Sequence, residues 1–168
     1  MLRLVPLAGL AATAAGDREA CHRLIGARLP EDWFEEDWVH EQRFNQWKAD
    51  PGFAPWSIRA LILRDTGDII GNINCHGNPL PFIHGGQSGM MVEMGYSVFG
   101  PWRRRGFATE AIRGLSDFAQ RHGVRWVRLS ISPTNEASLQ LAQKLGAAKI
   151  GSQLNDTDGP EDVYLFRL

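Results

Sequence analysis

Residues 93–111 read EMGYSVFGPWRRRGFATEA and join two different patterns. Segment 91–99 has the character of a β-strand, and residues 106–122 carry an apolar stripe at helical spacing. Between them, three consecutive arginines precede Gly106. The first N–H groups of a helix lack partners within the helix and lie at its positive end, so an anion is a natural ligand there. The pattern predicts a strand, an anion-binding turn and a helix.

The charge balance argues against a nucleic-acid surface. The 168 residues contain 18 Lys+Arg and 19 Asp+Glu, which gives a formal net charge of −1. Nucleic-acid-binding domains are usually basic and spread their cations along a stripe. Here the adjacent cations are confined to one turn, which suits a compact anion such as a pyrophosphate better. We therefore predict no nucleic-acid partner.

Composition indicates one globular domain, residues 1–168, with a hydrophobic share of 43%. Cys21 and Cys75 form no CxxC pair, which is typical of reduced thiols in a cytoplasmic protein. The five histidines show no ligand spacing, so no metal is expected. Nothing is apolar for long enough to span a membrane, although residues 1–15 could also be a short secretory signal. The alternation in LRLVPL (residues 2–7) favours a first strand followed by a helix.

The first half of the chain predicts two helices and a hairpin. One helix contains Ala20, Leu24 and Ile25 with Asp17 as its N-cap, and another covers residues 31–48. Segments 56–64 and 69–77 are rich in β-forming residues and flank a turn at DTGD, so they predict a β-hairpin. Residues 76–89 are dense in Gly and Pro and predict a long loop, which in a compact domain is usually functional or mobile.

The second half alternates strands and helices. Residues 91–99, 124–131, 147–154 and 162–168 predict strands, the last two around the turn NDTDG. Helices are predicted at 106–122 and at 135–145, the latter with Ala137, Leu141 and Leu145 on its apolar face and Gly146 at its end. A strand–helix–strand order implies a right-handed crossover between parallel strands. The fold class is therefore α/β with a mixed sheet.

Two blocks carry a family resemblance: EMGYSVFGPWRRRGFATEA and, further on, ISPTNEASLQLAQKLGAAKIG. Together they resemble the GCN5-related N-acetyltransferase (GNAT) superfamily, in particular its branch of ribosomal-protein N-terminal acetyltransferases. The family's pyrophosphate loop, Gln/Arg-x-x-Gly-x-Gly/Ala, is matched by Arg103, Gly106 and Ala108. The resemblance covers residues 91–150, and the N-terminal third matches in layout only.

The resemblance implies a three-layer α/β/α sandwich with a central splayed mixed sheet of about six or seven strands and about four helices. It also implies acetyl-CoA as co-substrate, with the pantetheine bound along strand 94–98. The implied cofactor-binding residues are Met94, Tyr96, Ser97, Val98, Arg103, Arg104, Arg105, Gly106, Phe107, Ala108, Thr109, Asn135 and Ser138. Glu93 would be the general base, acting through water, and Ser138 the general acid.

The sequence departs from the family at two positions. Many relatives carry a tyrosine as general acid where this chain has Ala142, which leaves Ser138 or no acid. The second loop position is often glycine in this branch, whereas here it is Arg104.

Several of these residues have structural interpretations as well. Glu93 could be a solvated carboxylate, Asn135 a helix N-cap, and Tyr96 a core residue. Glu110 in a first helical turn favours the helix dipole. Three further features could border the acceptor or be ordinary structure: the tryptophans Trp33, Trp38 and Trp47, the loop histidine His84, and the acidic run 31–37.

The sequence thus predicts an acetyl-CoA-dependent N-acetyltransferase acting by direct transfer in a ternary complex. No Cys or Ser nucleophile with a paired base is evident. The acceptor would be a protein or peptide N-terminus or a small primary amine, and the protein a monomer or homodimer. The alternative is a catalytically weak acyl-CoA-binding sensor on the same fold.

Overall fold

The protein has a mixed α/β fold in this computed structural model, which describes residues 1–35, 37–156 and 159–168. The helices are α1 (Leu7–Ala14), α2 (Arg18–Ile25), α3 (Asp32–Glu35), α4 (Asp37–Ala49), α5 (Phe107–Arg121) and α6 (Glu136–Lys144). The strands are β1 (Leu2–Leu4), β2 (Arg59–Ile62), β3 (Ile69–Cys75), β4 (Leu80–His84), β5 (Gln87–Val98), β6 (Val124–Ile131), β7 (Ala148–Asn155) and β8 (Gly159–Arg167). Two 3₁₀ helices cover Pro51–Trp56 and Gly100–Trp102.

Contacts divide the chain into two compact units. The first contains Met1–Asn78 and Tyr96–Ala111, and the second contains Pro79–Gly95 and Ile112–Leu168. Both β5 and α5 contribute residues to each unit. Within the described residues no helix is both long and apolar enough to cross a membrane.

The first unit joins the antiparallel strands β1, β2 and β3 to the end of β5. The N-terminal segment forms a strand and a helix, as expected: Leu2 pairs with Leu61, and Leu10 of α1 is fully buried. The predicted N-cap is also confirmed, because Asp17 Oδ1 accepts from the Ala20 N–H at 2.9 Å. The predicted β2–β3 hairpin forms in antiparallel register.

The helices before this hairpin are more numerous than predicted. Gly16, at φ 67°, ends α1 as a separate helix, and the Asp17 cap then starts α2. Within α2 the buried residues are Ala20, Cys21 and Ile25, whereas Leu24 is exposed. The predicted helix at 31–48 corresponds to α3 and α4, with Glu36 outside the described residues.

The second unit contains the predicted crossover: β5 and β6 are parallel, with Met90 opposite Val124 and Glu93 opposite Arg128. Helix α5 buries its apolar stripe, and β6 buries the face that carries Val127. Strands β6, β8 and β7 follow in antiparallel order. In the β7–β8 turn, Thr157 and Asp158 lie outside the described residues. The mixed α/β class is confirmed.

Two predictions in this unit were wrong. Residues 76–89 are not one loop, because β4 pairs antiparallel with β5 from Leu80↔Met91 to His84↔Gln87. Gly85 and Gly86, at φ 54° and 75°, make the two-residue turn that such a hairpin requires. In α6, Ala137 is exposed, and the fully buried alanine is Ala142.

Candidate functional site

The arginine turn, residues 98–107, connects the end of β5 to the start of α5. Arg104 has φ 64° and Gly106 has φ 85°, so both adopt left-handed backbone. Among the described residues, Arg104 is the one non-glycine residue with positive φ. Arginine thus takes up a conformation that glycine adopts without steric cost, which explains why relatives often carry glycine here.

Gly106 directly precedes α5, and its carbonyl accepts from the Glu110 N–H at 3.1 Å. A Cβ atom built on Gly106 would meet no atom within 4 Å. The space in front of the helix N-terminus is therefore open, and the first N–H groups of α5 have no partner within the helix. Glu110 lies exposed in the first turn, as the helix-dipole interpretation predicts.

The three arginines of the turn have different local roles. Arg103 Nε donates to the Val98 carbonyl at 2.7 Å and fastens the turn to the end of β5. The Arg105 guanidinium lies over two aromatic rings, 4.9 Å from the Trp102 centroid and 5.5 Å from that of Phe107. Arg104 provides the left-handed bend. The basic run is thus a folded element, and two of its cations have defined neighbours.

No carboxylate of the described residues forms an ion pair with any of these three arginines. All three are exposed, as is Gly106. Exposed cations around open helix N–H groups attract an anion, and arginine in particular matches the geometry of phosphate oxygens. The turn can therefore bind a phosphate group.

The predicted pantetheine strand packs closely against β3. Met94 is buried, and Tyr96, Ser97 and Val98 are half-buried. A Cβ atom on Gly71 of β3 would lie 2.2 Å from the Ser97 carbonyl oxygen, so only glycine fits there. The backbone of β5 at Ser97 is fixed by this close approach.

Glu93 does not stand alone on its strand. Its Oε1 accepts from the Ser130 hydroxyl at 2.6 Å, and its Oε2 lies 3.4 Å from Arg128 Nε. Gln153 donates from Nε2 to Ser130 Oγ at 3.2 Å and to Glu161 Oε2 at 2.9 Å, and its Oε1 accepts from Arg128. We call these five side chains the Glu93 network. Glu93 is thus a half-buried, hydrogen-bonded carboxylate and not a solvated one.

Sequence reasoning missed the other four members of this network. Alternation within β6 does place Arg128 and Ser130 on one face, opposite the buried Val127. Glu93 meets them because the parallel register sets it opposite Arg128, and Gln153 reaches Glu161 because β7 and β8 pair at those positions. Strand register across three different connections has no local sequence signal.

Asn135 and Ser138 meet at the start of α6. Asn135 Oδ1 accepts from the Ser138 N–H at 3.1 Å, which is an N-cap and confirms the structural interpretation of Asn135. The Ser138 side chain is half-buried. Ala142, where many relatives carry tyrosine, is fully buried on the inner side of α6.

The other candidate residues differ in burial. Trp33 is fully buried, and its indole N–H donates to Thr13 Oγ1 at 3.1 Å. Trp47 packs against the same core, whereas Trp38 is 54% exposed. His84 is exposed beside the Phe82 and Trp126 rings. In the acidic run 31–37, Glu36 lies outside the described residues.

Neither cysteine is poised as a nucleophile. Burial raises the pKa of the Cys75 thiol to about 12, an effect that Arg59 and Arg43 oppose in part. Burial also raises the pKa of Cys21. A thiol needs a lowered pKa to react as thiolate at neutral pH. Among the described residues, no group of three or more His, Cys, Asp or Glu side chains could hold a metal ion.

Solved structures resemble this fold over nearly the whole chain. Ribosomal-protein-S5-alanine acetyltransferase from Vibrio fischeri is 17% identical with a TM-score of 0.66, covering 99% of this chain and 91% of that one. A protein assigned as a ribosomal-protein-serine acetyltransferase from Vibrio cholerae is 18% identical with a TM-score of 0.62, covering 99% and 92%. The NatC complex bound to Gag peptide and CoA is 16% identical with a TM-score of 0.59, covering 99% and 92%.

No curated protein sequence matches the chain. The family model for the acetyltransferase (GNAT) domain matches residues 2–148. That range includes both the arginine turn and Glu93, together with most of each compact unit. The chain belongs to the GNAT acetyltransferase family and is an acyltransferase.

Proposed function

We propose that the protein transfers the acetyl group of acetyl-CoA directly to a primary amine, with both substrates bound together. The observation that carries this proposal is the arginine turn, where exposed cations surround an open helix N-terminus and form no ion pair with a carboxylate of the described residues. Acetyl-CoA carries a pyrophosphate, which is a ligand of that size and charge. The CoA bound to the structurally similar NatC complex is consistent with it.

In this proposal the cofactor-binding residues are those that the family resemblance implies. Arg103 to Thr109 hold the pyrophosphate through backbone N–H groups and guanidinium charge. The pantetheine lies along the backbone of Met94 to Val98 and forms hydrogen bonds with it, as an added β-strand would. Asn135 and Ser138 contribute from the start of α6 through the amide group and hydroxyl that their capping bond leaves available.

The reaction requires a neutral amine, aimed at the thioester carbonyl. Glu93 acts as the base, through a water molecule, and removes the proton that the amine loses as its nitrogen bonds to the acetyl carbon. The C–S bond then breaks, and the departing thiolate takes a proton from Ser138 or from solvent. Holding both reactants in place supplies much of the rate.

Direct transfer is supported by the absence of an activated thiol among the described residues, because burial raises the pKa of both cysteines. Ser130 does contact a carboxylate, which the sequence did not indicate. An acetyl adduct on Ser130 in the intact mass spectrum, after incubation with acetyl-CoA alone, would contradict direct transfer.

The preferred acceptor is a protein or peptide N-terminus. Its support is the resemblance to proteins named for acetylation of ribosomal-protein alanine and serine, and a small primary amine is the other candidate. A panel of peptides that start with Ala or Ser, tested beside spermidine and simple amines for release of CoA thiol, distinguishes these acceptors.

Ala142, which is fully buried, favours a second function, acyl-CoA binding without efficient transfer, because alanine cannot supply the proton that the tyrosine of many relatives donates. The same thiol-release panel separates the two functions. Acetyl-CoA that raises the melting temperature while no acceptor releases thiol identifies a binding module.

The arginine turn itself is tested by a matched pair of substitutions, Gly106→Trp and Gly123→Trp. Both glycines flank α5, at φ 85° and 82°, and an added Cβ meets nothing within 4 Å at either position. Backbone strain is therefore similar, but only Gly106 lies where the pyrophosphate is proposed. We expect Gly106→Trp to weaken acetyl-CoA binding by on the order of 100-fold or more in calorimetry, since it fills the anion site. Equal affinities in the two variants would exclude the assignment.

A further inference from the structure

The orientation of Glu93 depends on a residue three strands away in the sheet. The order of strands runs β5, β6, β8, β7, with Glu93 on β5 and Gln153 on β7. The side chains of Arg128 and Ser130 on β6 connect the two. Glu161, directly opposite Gln153 on β8, completes the set.

The hydrogen bonds of this network have a fixed direction. A carboxylate only accepts, so the Ser130 hydroxyl donates its single proton to Glu93. Ser130 must therefore accept from Gln153, which uses its Nε2 for Ser130 and for Glu161. The Gln153 Oε1 is then turned toward the Arg128 guanidinium, and accepts from it. Both ends of the amide are used, so only one amide orientation satisfies the network.

This arrangement acts on both oxygens of Glu93. Through Ser130, Gln153 fixes the donor to Oε1, and through Arg128 it fixes the cation beside Oε2. Glu161 holds Gln153 by accepting a hydrogen bond from its Nε2, and only 9% of Glu161 is exposed. The groups are only partly open to solvent, so water replaces a lost bond poorly.

We propose that Gln153 is a positioning residue, which aims the Glu93 carboxylate by holding Ser130 and Arg128 against it. This inference rests on the proposed role of Glu93 as base. Gln153 touches neither substrate in this scheme, and its effect reaches the reaction through Glu93. A small displacement of a catalytic group lowers the rate by up to about 100-fold, so the loss of this positioning should be visible in kcat.

The test uses full-length protein, acetyl-CoA, and a short peptide that starts with Ala or Ser. Gln153→Leu removes both ends of the amide at similar volume. We expect kcat to fall by about tenfold, while KM for acetyl-CoA stays within about twofold. Gln153→Glu keeps an acceptor for Arg128 but loses both donors, and we expect an equal or larger loss of kcat. A Gln153→Glu variant with wild-type kcat would overturn the proposal.

A double-mutant cycle with Ser130→Ala separates positioning from general structural damage. If Gln153 acts through Ser130, the double variant loses less activity than the product of the two single losses. Independent, multiplicative losses, or a fall in kcat matched by a rise in KM and a fall in melting temperature, would refute a positioning role.

Ser152→Ala is the matched control. Ser152 is the preceding residue on β7, points to the other face, and donates to Asp162 Oδ1 across the same strand pair at 2.8 Å. It removes a β7–β8 side-chain bond without touching the Glu93 network, and kcat should stay at the wild-type value. A wild-type protein that binds acetyl-CoA but acetylates no amine refutes the proposed function, and this inference with it. An active wild type in which the Gln153 and Ser130 variants lose activity independently, so that the losses multiply, refutes only the role of Gln153.

Discussion

The arginine turn and the Glu93 network differ in whether their charged groups are paired and buried. In the turn, three neighbouring cations form no ion pair with a carboxylate of the described residues, and all three are exposed. In the network, Glu93 and Glu161 share the donors of Arg128, Ser130 and Gln153, and all five groups are at least partly buried. Unpaired exposed charge suits a ligand that arrives with the opposite charge. Paired and partly buried charge suits a group that must keep one orientation.

The two regions also differ in how they are encoded. The turn is built from ten consecutive residues, 98–107, so its parts are adjacent before the chain folds. The network takes its five side chains from four strands, and it exists only once their registers are set. A substitution in the turn should therefore affect only the turn and its ligand. The effect of a substitution in the network should depend on which other members of the network are intact.

The largest effect on stability is expected at Gly71 of β3, which packs against the end of β5 just before the arginine turn. Gly71→Ala puts a methyl group 2.2 Å from the Ser97 carbonyl oxygen, a backbone atom that cannot move aside cheaply. We expect a loss of about 3 kcal/mol in the free energy of unfolding, measured by urea denaturation.

Gly77→Ala is the control for this substitution, because its Cβ would meet no atom within 4 Å, and we expect nearly unchanged stability. If both variants unfold at the same urea concentration, the close approach of β3 to the end of β5 does not position the turn.

How far the sequence predicts each region follows from this contrast. Gly106, Ala108 and the arginines were identifiable, because a turn at a helix start has a local signature. Arg104 could be assigned to the loop, but its left-handed backbone was not foreseen. For Glu93, the strand and the residue were identifiable, and its partners were not, because they depend on register between distant strands.

The errors in the fold have similar physical causes. Strand β4 was interpreted as loop because residues 76–89 contain four glycines and two prolines, although Gly85–Gly86 between two β-forming runs is a recognised hairpin signal. The separation of α1 from α2 was missed because the break consists of one left-handed glycine, Gly16. Both errors involve glycines at positive φ, whose role in a tight turn or at a helix end depends on the flanking segments and not on composition alone.

A smaller effect is expected at Arg104, where strain and charge can be separated. Arg104→Gly and Arg104→Asn suit the left-handed conformation, and Arg104→Val does not. We expect Val to lower the free energy of unfolding by about 1 kcal/mol relative to Gly. All three variants lose the same positive charge, so their acetyl-CoA affinities should fall by a similar factor of a few. Affinities that follow stability across the series would show that backbone shape, and not charge, is what the ligand needs.

The smallest effect is expected at Asp162, on the outer face of the β7–β8 pair that carries Gln153. The Lys149 ammonium, and next the Ser152 hydroxyl, hold the pKa of Asp162 below its usual range. A lowered carboxyl pKa stabilises the fold above the unfolded-state value of about 3.9, and this contribution is lost as pH falls through the lower folded value. Asp162→Asn should therefore reduce stability at pH 7 and converge with wild type below about pH 4, in melting curves recorded across that range. The exposed Asp117 on α5 forms no ion pair among the described residues, so Asp117→Asn is the control. If the stability of Asp162→Asn depends on pH no differently from that of the control, the ion pair with Lys149 does not stabilise the β7–β8 pair.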